Sequence, residues 1–349
     1  MNELTVERYD KAGMRRLIAG FPQQVKDALA LAERAPLPKA AKAVDNIVLT
    51  GLGGSAIAGD LLRSYLAGEL KIPFVVNRHY ILPEFVGPRS LVIVSSYSGD
   101  TEETVAAHHE ARKRRANVLC ISTGGETARL AQKFRHPLIK IPKGLPPRAA
   151  LGYSFFPLLT ALIRMKLVRP RPGDLKETVS LLTRAAKRYS VLDPGKNFIL
   201  QIAQHLYGKL PVIYSSADRF DTVNLRWRGQ MEENAKVLAY GNVLPEMNHN
   251  ELVGWKVLQR QMSEIAVVFL RDTQDHKRVK VRMEITKSIV KEFAGSTTEV
   301  MSEGKSLLAR MFSLIHKGDW VSFYLAILNG MDPTPVKVID YLKWELGKI

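Results

Sequence analysis

One pattern limits the folds open to this chain more than any other. Short apolar runs with β-branched residues end in glycine or hydroxyl residues, and helical spacing follows. The run at 46–50 leads into Gly51-Leu52-Gly53-Gly54-Ser55-Ala56 and then a helical stretch over 57–66. Strand-like runs recur at 73–76, 91–95, 117–121 and 137–141, with helical spacing over 101–115 and 127–134. Such alternation predicts a parallel, doubly wound sheet. A second round starts at 211–216 and continues through a helix over 222–236, a strand at 264–270, a helix over 276–293 and a strand at 297–301. The expected fold class is therefore α/β, two doubly wound parallel-sheet domains with flanking helices. The expected divisions are a helical arm at 1–45, a first domain at 46–170, a second at 171–330 and a C-terminal helix at 331–349. The Pro/Gly-rich stretch at 168–174 marks the linker.

Length and composition allow this. With 349 residues, 46% of them hydrophobic and 24% charged, the chain can fill two cores. The net charge of +17 favours anionic partners without choosing among them. The densest basic runs, Arg112–Arg115 and Lys277-Arg278 with Lys280 and Arg282, read as the last turn of one helix and the solvated face of another. With no zinc-finger spacing and no aromatic-basic signature, nucleic acid is the weaker partner and no nucleic-acid binding is expected. The opening residues lack a signal-peptide pattern and no apolar run approaches a membrane span, so a soluble cytoplasmic protein is expected, with no membrane partner. The single cysteine, Cys120, sits in a strand-like run and reads as a buried structural thiol.

The chemistry lies in two loops. In a doubly wound sheet, ligands bind beyond the carboxyl ends of the strands, where Gly51–Ala56 and Ser95–Thr104 both fall. The glycines let backbone N–H groups approach an anion, and Ser96, Ser98, Thr101 and Thr104 add hydroxyl donors around Gly99. That set suits a phosphate monoester held by neutral donors. The same letters, Ser98-Gly99-Asp100-Thr101-Glu102-Glu103, also spell an ordinary helix cap. Gly51-x-Gly53-x-x-Ala56 fits the dinucleotide fingerprint, yet the next strand ends in Asn77-Arg78-His79 rather than an acid, which leaves only an NADP enzyme using Arg78. No Walker Gly-Lys-Ser/Thr follows either strand.

Five motifs in order carry a family resemblance: Gly51–Ser55, Ser96–Thr104, Pro147-Arg148-Ala149-Ala150, Glu233-Asn234-Ala235-Lys236 and Leu244–Asn250. Together they resemble the bifunctional phosphoglucose/phosphomannose isomerases of the sugar isomerase-domain superfamily, over about residues 46–343. The resemblance implies reversible conversion of fructose 6-phosphate to glucose 6-phosphate and mannose 6-phosphate through a cis-enediol, with no cofactor and no metal. It implies Glu233 as the base, His249 as a ring-opening residue supplied by the neighbouring subunit of a homodimer, and Arg148 as the stabiliser of the enediolate. Gly54, Ser55, Ser96, Ser98 and Thr101 match the phosphate binders, with Thr104 a lesser candidate. Pro333-Thr334-Pro335 and Ile339–Lys343 resemble the family's last elements, which implies Thr334 in admitting the mannose epimer and Lys343 in ring opening. Threonine and lysine stand nine apart here rather than seven, so Lys337 rivals Lys343. Two other functions stay open: a sugar-phosphate sensor without turnover, and an NADP-dependent oxidoreductase.

Overall fold

The computed structural model describes residues 1–38, 44–217 and 219–348, in two compact units: Gly20–Ser180, and Met1–Ala19 together with Leu181–Ile349. Helices α1 (Glu3–Tyr9) and α2 (Met14–Ala19) thus belong with the C-terminal half, while α3 (Phe21–Glu33) opens the other unit.

In the Gly20–Ser180 unit the chain runs β1 (Asn46–Thr50), α4 (Gly53–Leu66), β2 (Phe74–Asn77), β3 (Ser90–Ser95), α5 (Glu102–Lys113), β4 (Asn117–Ser122), α6 (Gly125–Phe134) and β5 (Leu138–Lys140). The strands lie in the order β2-β1-β3-β4-β5, and every neighbouring pair is parallel. All six residues of β3 are buried, as its unbroken apolar run requires of a strand covered on both faces. The order reverses between β1 and β3, where Thr50 stands opposite Val94. A doubly wound sheet opens its ligand crevice at that place.

The same unit contains α7 (Leu151–Arg164), buried almost all round and packed on α3. Gln24 of α3 joins the two ends of this packing: its Nε2 donates to Ala149 O at 2.9 Å and its Oε1 accepts from Gly152 N at 2.7 Å. A Cβ at residue 152 would lie 2.6 Å from Gln24 Oε1, so the helix start must be glycine for this clamp to close.

The other unit takes α8 (Pro172–Tyr189) from residue 181, then α9 (Phe198–Leu206), β6 (Leu210–Ser216), α10 (Asp221–Gln230), β7 (Tyr240–Leu244), α11 (Glu251–Gly254), α12 (Gln259–Met262), β8 (Ile265–Arg271), α13 (Lys277–Lys291), β9 (Ser296–Met301), α14 (Leu307–Leu328) and α15 (Lys337–Leu346). Its sheet, β7-β6-β8-β9, is again parallel throughout. The core helix is α14, whose residues from Leu308 to Ile327 are all buried. Two of its polar residues, Asp319 and Ser322, are satisfied by α10 and the turn that follows. Arg226 pairs with Asp319 at 2.8 Å, Gln230 donates to the same Asp319 oxygen at 2.7 Å, and Trp227 Nε1 donates to Leu314 O at 2.8 Å. Gly318 leaves the space that Trp227 fills, since a Cβ there would meet the indole nitrogen at 2.5 Å.

The α/β class with two parallel sheets is as the sequence predicts, with local differences. The helix expected from 57 begins at Gly53, so the glycine loop is itself the first helical turn. The helix expected over 222–236 is α-helical to Gln230 and then widens into a π turn, Met231–Ala235. Helix α8 begins at Pro172, inside the stretch read as linker. The part of the expected arm at 39–43 lies outside the described residues. No helix among the described residues is long and apolar enough to cross a membrane.

Candidate active site

The two loops singled out in the sequence meet at the β1/β3 crevice. A Cβ on Gly51 would lie 2.6 Å from Ser95 O, which fixes how closely the end of β1 approaches the end of β3. Ser55, buried in the first turn of α4, accepts a hydrogen bond from Tyr97 N at 3.2 Å and so ties one loop to the other. Buried Ser96 shares a 3.0 Å hydrogen bond between its Oγ and Thr101 Oγ1, and its Oγ also accepts from Gly99 N at 3.0 Å. Thr101 occupies the cap position of α5, yet its side chain makes no capping bond. Helix α4 likewise has no side-chain cap. Two helix N-termini therefore face the crevice end of the sheet with first-turn N–H groups that no capping side chain occupies.

Gly99 has φ +91°, and a Cβ there would meet Gly124 O at 2.0 Å, so the serine loop closes against the turn after β4. Asp100 holds that closure by accepting from Glu126 N at 2.8 Å. Ser98 is exposed and its Oγ accepts from Asp100 N at 3.2 Å. Thr104 is fully buried and its Oγ1 has no hydrogen-bond partner.

Arg148 lies in a 3-10 turn, Pro147–Ala149, and is only 3% exposed. A Cβ on Gly54 would stand 2.8 Å from Pro147 O, so the arginine turn leans on the glycine loop. Gln24, by clamping Ala149 and Gly152, fixes that turn from its other side. Gly54, Ser55, Ser96, Thr101 and Arg148 are thus drawn together within one unit. Sequence reasoning missed Gln24: nothing local marks a glutamine 125 residues before the carbonyl it binds.

In the Leu181–Ile349 unit, Glu233 sits half-buried in the π turn after α10. Widened turns of this kind recur at functional sites because they push a side chain out of helical register. The turn is pinned to α14 by Asn234, which donates to Ser322 Oγ at 2.9 Å, and Ser322 Oγ donates in turn to Asp319 O at 2.8 Å. Lys236, in the left-handed conformation at the end of the turn, donates from Nζ to the Glu233 carbonyl and reaches Pro333 O at 3.5 Å. It brings the segment carrying Thr334 beside Glu233. Thr334 itself donates its N–H to Asp332 Oδ1 at 2.9 Å.

The remaining residues are not gathered there. His249 is exposed at the end of a 3-10 turn, Glu246–His249. Neighbours hold that turn: Asn248 donates to Thr286 Oγ1 at 2.9 Å and accepts from Arg282 at 3.3 Å. Lys337 and Lys343 are both exposed on α15, a helix with no buried residue. A separate cleft of about 430 Å³ is lined by Tyr214, Arg228, Tyr240, Glu251 and Trp255 among others, and none of the residues predicted from sequence lines it.

Residues 196–346 match the family described as the bacterial phospho-glucose isomerase C-terminal SIS domain, and residues 41–144 match the SIS domain. The chain is 44% identical over 333 residues to the bifunctional phosphoglucose/phosphomannose isomerase of Caldicellulosiruptor bescii, covering 95% of this chain and 98% of that protein. It is 37% identical over 304 residues to the protein of the same name from Aquifex aeolicus, covering 86% and 90%. Among solved structures, the C-terminal domain of glucosamine-fructose-6-phosphate aminotransferase from Francisella tularensis shares the fold, with a TM-score of 0.72 at 16% identity and coverage of 92% and 98%.

Proposed function

This chain belongs to the bifunctional phosphoglucose/phosphomannose isomerase family, and from that premise we propose that it interconverts fructose 6-phosphate with glucose 6-phosphate and mannose 6-phosphate. The observation that carries the reading is the crevice at the switch point, where two uncapped helix starts, the Ser55, Ser96 and Thr101 hydroxyls and buried Arg148 converge. It has the donors a phosphate dianion requires and no carboxylate among those residues to repel it.

The phosphate is held by Ser55, Ser96, Ser98 and Thr101 with the backbone at Gly54. With the sugar opened, the Glu233 carboxylate takes the proton from one of the adjacent carbons C1 and C2 and returns it to the other, while the enediolate oxygen is stabilised by Arg148. A single base suffices because the proton never has to leave the site. His249 promotes ring opening. Its exposure, with a ring that makes no hydrogen bond among the described residues, suits a residue offered to the neighbouring subunit of a homodimer. Lys343 or Lys337 assists ring opening, and Thr334, held beside the Glu233 turn through Lys236, admits the mannose epimer.

The reading is tested by incubating the protein with fructose 6-phosphate and resolving the products over time. Both aldose phosphates are expected. Binding without product would establish a sensor instead. Glu233→Gln should bind the phosphosugar as before and lose kcat by at least about 10²–10⁴-fold; kcat near wild type would remove Glu233 from the base role.

A further inference from the structure

Away from the crevice, three soft or borderline metal-ligating side chains converge within the Gly20–Ser180 unit. His108 projects from α5, Cys120 from the middle of β4, and His136 lies just beyond the end of α6. Their ligand atoms all fall within 4.8 Å of one another. His108 Nε2 is 2.9 Å from His136 Nδ1 and 3.7 Å from Cys120 Sγ. His108 and Cys120 are fully buried, and His136 is half-buried. The opposite nitrogen of His108, Nδ1, is buried with no hydrogen-bond partner, so the imidazole pair does not satisfy its own polar groups.

We propose that His108, Cys120 and His136 form a Zn²⁺ site, with His108 Nε2, Cys120 Sγ and His136 Nδ1 as ligands. A tetrahedral zinc with Zn–N near 2.05 Å and Zn–S near 2.3 Å places two nitrogens about 3.3 Å apart and nitrogen and sulfur about 3.6 Å apart. The His108–Cys120 spacing of 3.7 Å already agrees, His136 lies within 4.8 Å of Cys120 Sγ, and the two imidazoles need to part by a few tenths of an ångström. His136 can supply that shift, because it lies in the short connection between α6 and β5 and reaches solvent. Binding replaces the His108–His136 hydrogen bond, whose proton moves from a ligating nitrogen to the other nitrogen of the same ring, and releases the Cys120 thiol proton to solvent, so that each imidazole carries its N–H on the non-ligating nitrogen. Water on the His136 side completes the coordination. One thiolate with two imidazoles selects zinc over hard cations such as magnesium or calcium.

The ion would tie α5, β4 and α6 together. The starts of α5 and α6 hold the serine loop, through Thr101 and through the Asp100–Glu126 bond. The site therefore supports the loop without touching substrate. It is independent of the isomerase reading and can fail alone.

The test uses tag-free, full-length protein stripped with chelator. Titration with Co²⁺ should produce a thiolate-to-cobalt charge-transfer band that saturates at one ion per chain and is abolished by excess Zn²⁺. Cys120→Val, which keeps the packing volume, should abolish the band. His136→Gln should weaken Zn²⁺ binding by more than about tenfold, the least that even an outer-shell change costs. Absence of a thiolate band in the wild-type protein overturns the proposal whether or not either variant folds. So does Zn²⁺ uptake unchanged in variants with wild-type circular dichroism, which would leave the trio a hydrogen-bonded core pair with a thiol beside it.

Discussion

Among single residues, His316 shows how burial fixes a protonation state. It lies inside α14, where Trp320 Nε1 donates to its Nε2 at 3.1 Å, and burial drives the imidazole down from 6.5 to about 3. As pH falls, the unfolded chain takes up this proton first. The contribution to stability is complete above about pH 6.5 and is lost progressively between there and the folded value. At pH 5 the loss is about 2 kcal/mol. All four tryptophans, at 227, 255, 320 and 344, lie in the Leu181–Ile349 unit, so indole fluorescence reports that unit alone. The urea midpoint followed by fluorescence should fall between pH 7.5 and pH 5 in the wild-type protein and fall less in His316→Gln, whose amide oxygen can still accept from Trp320. An equal fall in both would mean the imidazole is not the titrating group.

Elements, rather than residues, decide where Arg148 points. Its 3-10 turn is caught between the glycine loop and the Gln24 clamp, so α3 acts on the crevice without lining it. Gln24→Met keeps most of the volume and orphans Ala149 O and Gly152 N, at a cost of about 1–3 kcal/mol for each group left unpaired. If the turn positions Arg148 for the enediolate, kcat should drop by about tenfold with KM for the phosphosugar nearly unchanged, and Gln24→Glu, which retains an acceptor for Gly152, should recover part of it. A loss confined to thermal stability would make the clamp purely structural. The same scale separates what the sequence discloses from what it hides. Strands β1, β3, β4, β6 and β8 are legible because burial on both faces forces continuous apolar runs. Edge strand β7 pairs on one side only, and Gly241 and Asn242 interrupt its apolar pattern, so no strand is expected there from the sequence. Helix α14 is masked by Arg310, His316, Lys317 and Asp319, whose partners are Asp272, Trp320 of the same helix, Glu303 and Arg226. The hydroxyls of the crevice are visible because they follow strands in sequence. The π turn, the Gln24 clamp and the His108–Cys120–His136 trio depend on packing between elements and leave no local signal.

For the molecule as a whole, the dominant quantity is a net charge of +17. Few of these cations are candidates for touching a substrate: Arg148 is buried at the crevice, and the candidate lysines Lys337 and Lys343 are exposed on α15. Many of the rest are paired on the surface, as in Arg89–Asp45, Arg129–Glu126 and Arg188–Glu303, where water and salt screen the charges and each pair adds little. The unpaired excess therefore contributes less to folding than to the field a dianionic sugar phosphate meets on approach. Screening gives this a measurable form, since the Debye length shrinks from about 30 Å at 0.01 M to about 8 Å at 0.15 M. In sodium chloride, whose anion competes weakly with phosphate, kcat/KM should fall severalfold over that range. The value of kcat at saturating substrate should hold, because the base and enediolate stabiliser proposed at Glu233 and Arg148 would act at distances too short to be screened. A kcat/KM indifferent to salt would show that encounter is not steered, and that the positive charge serves another partner. A parallel loss of kcat would place the salt effect in the folded state itself, and the His316 and Gln24 variants measured at the same two salt concentrations would show which unit carries it.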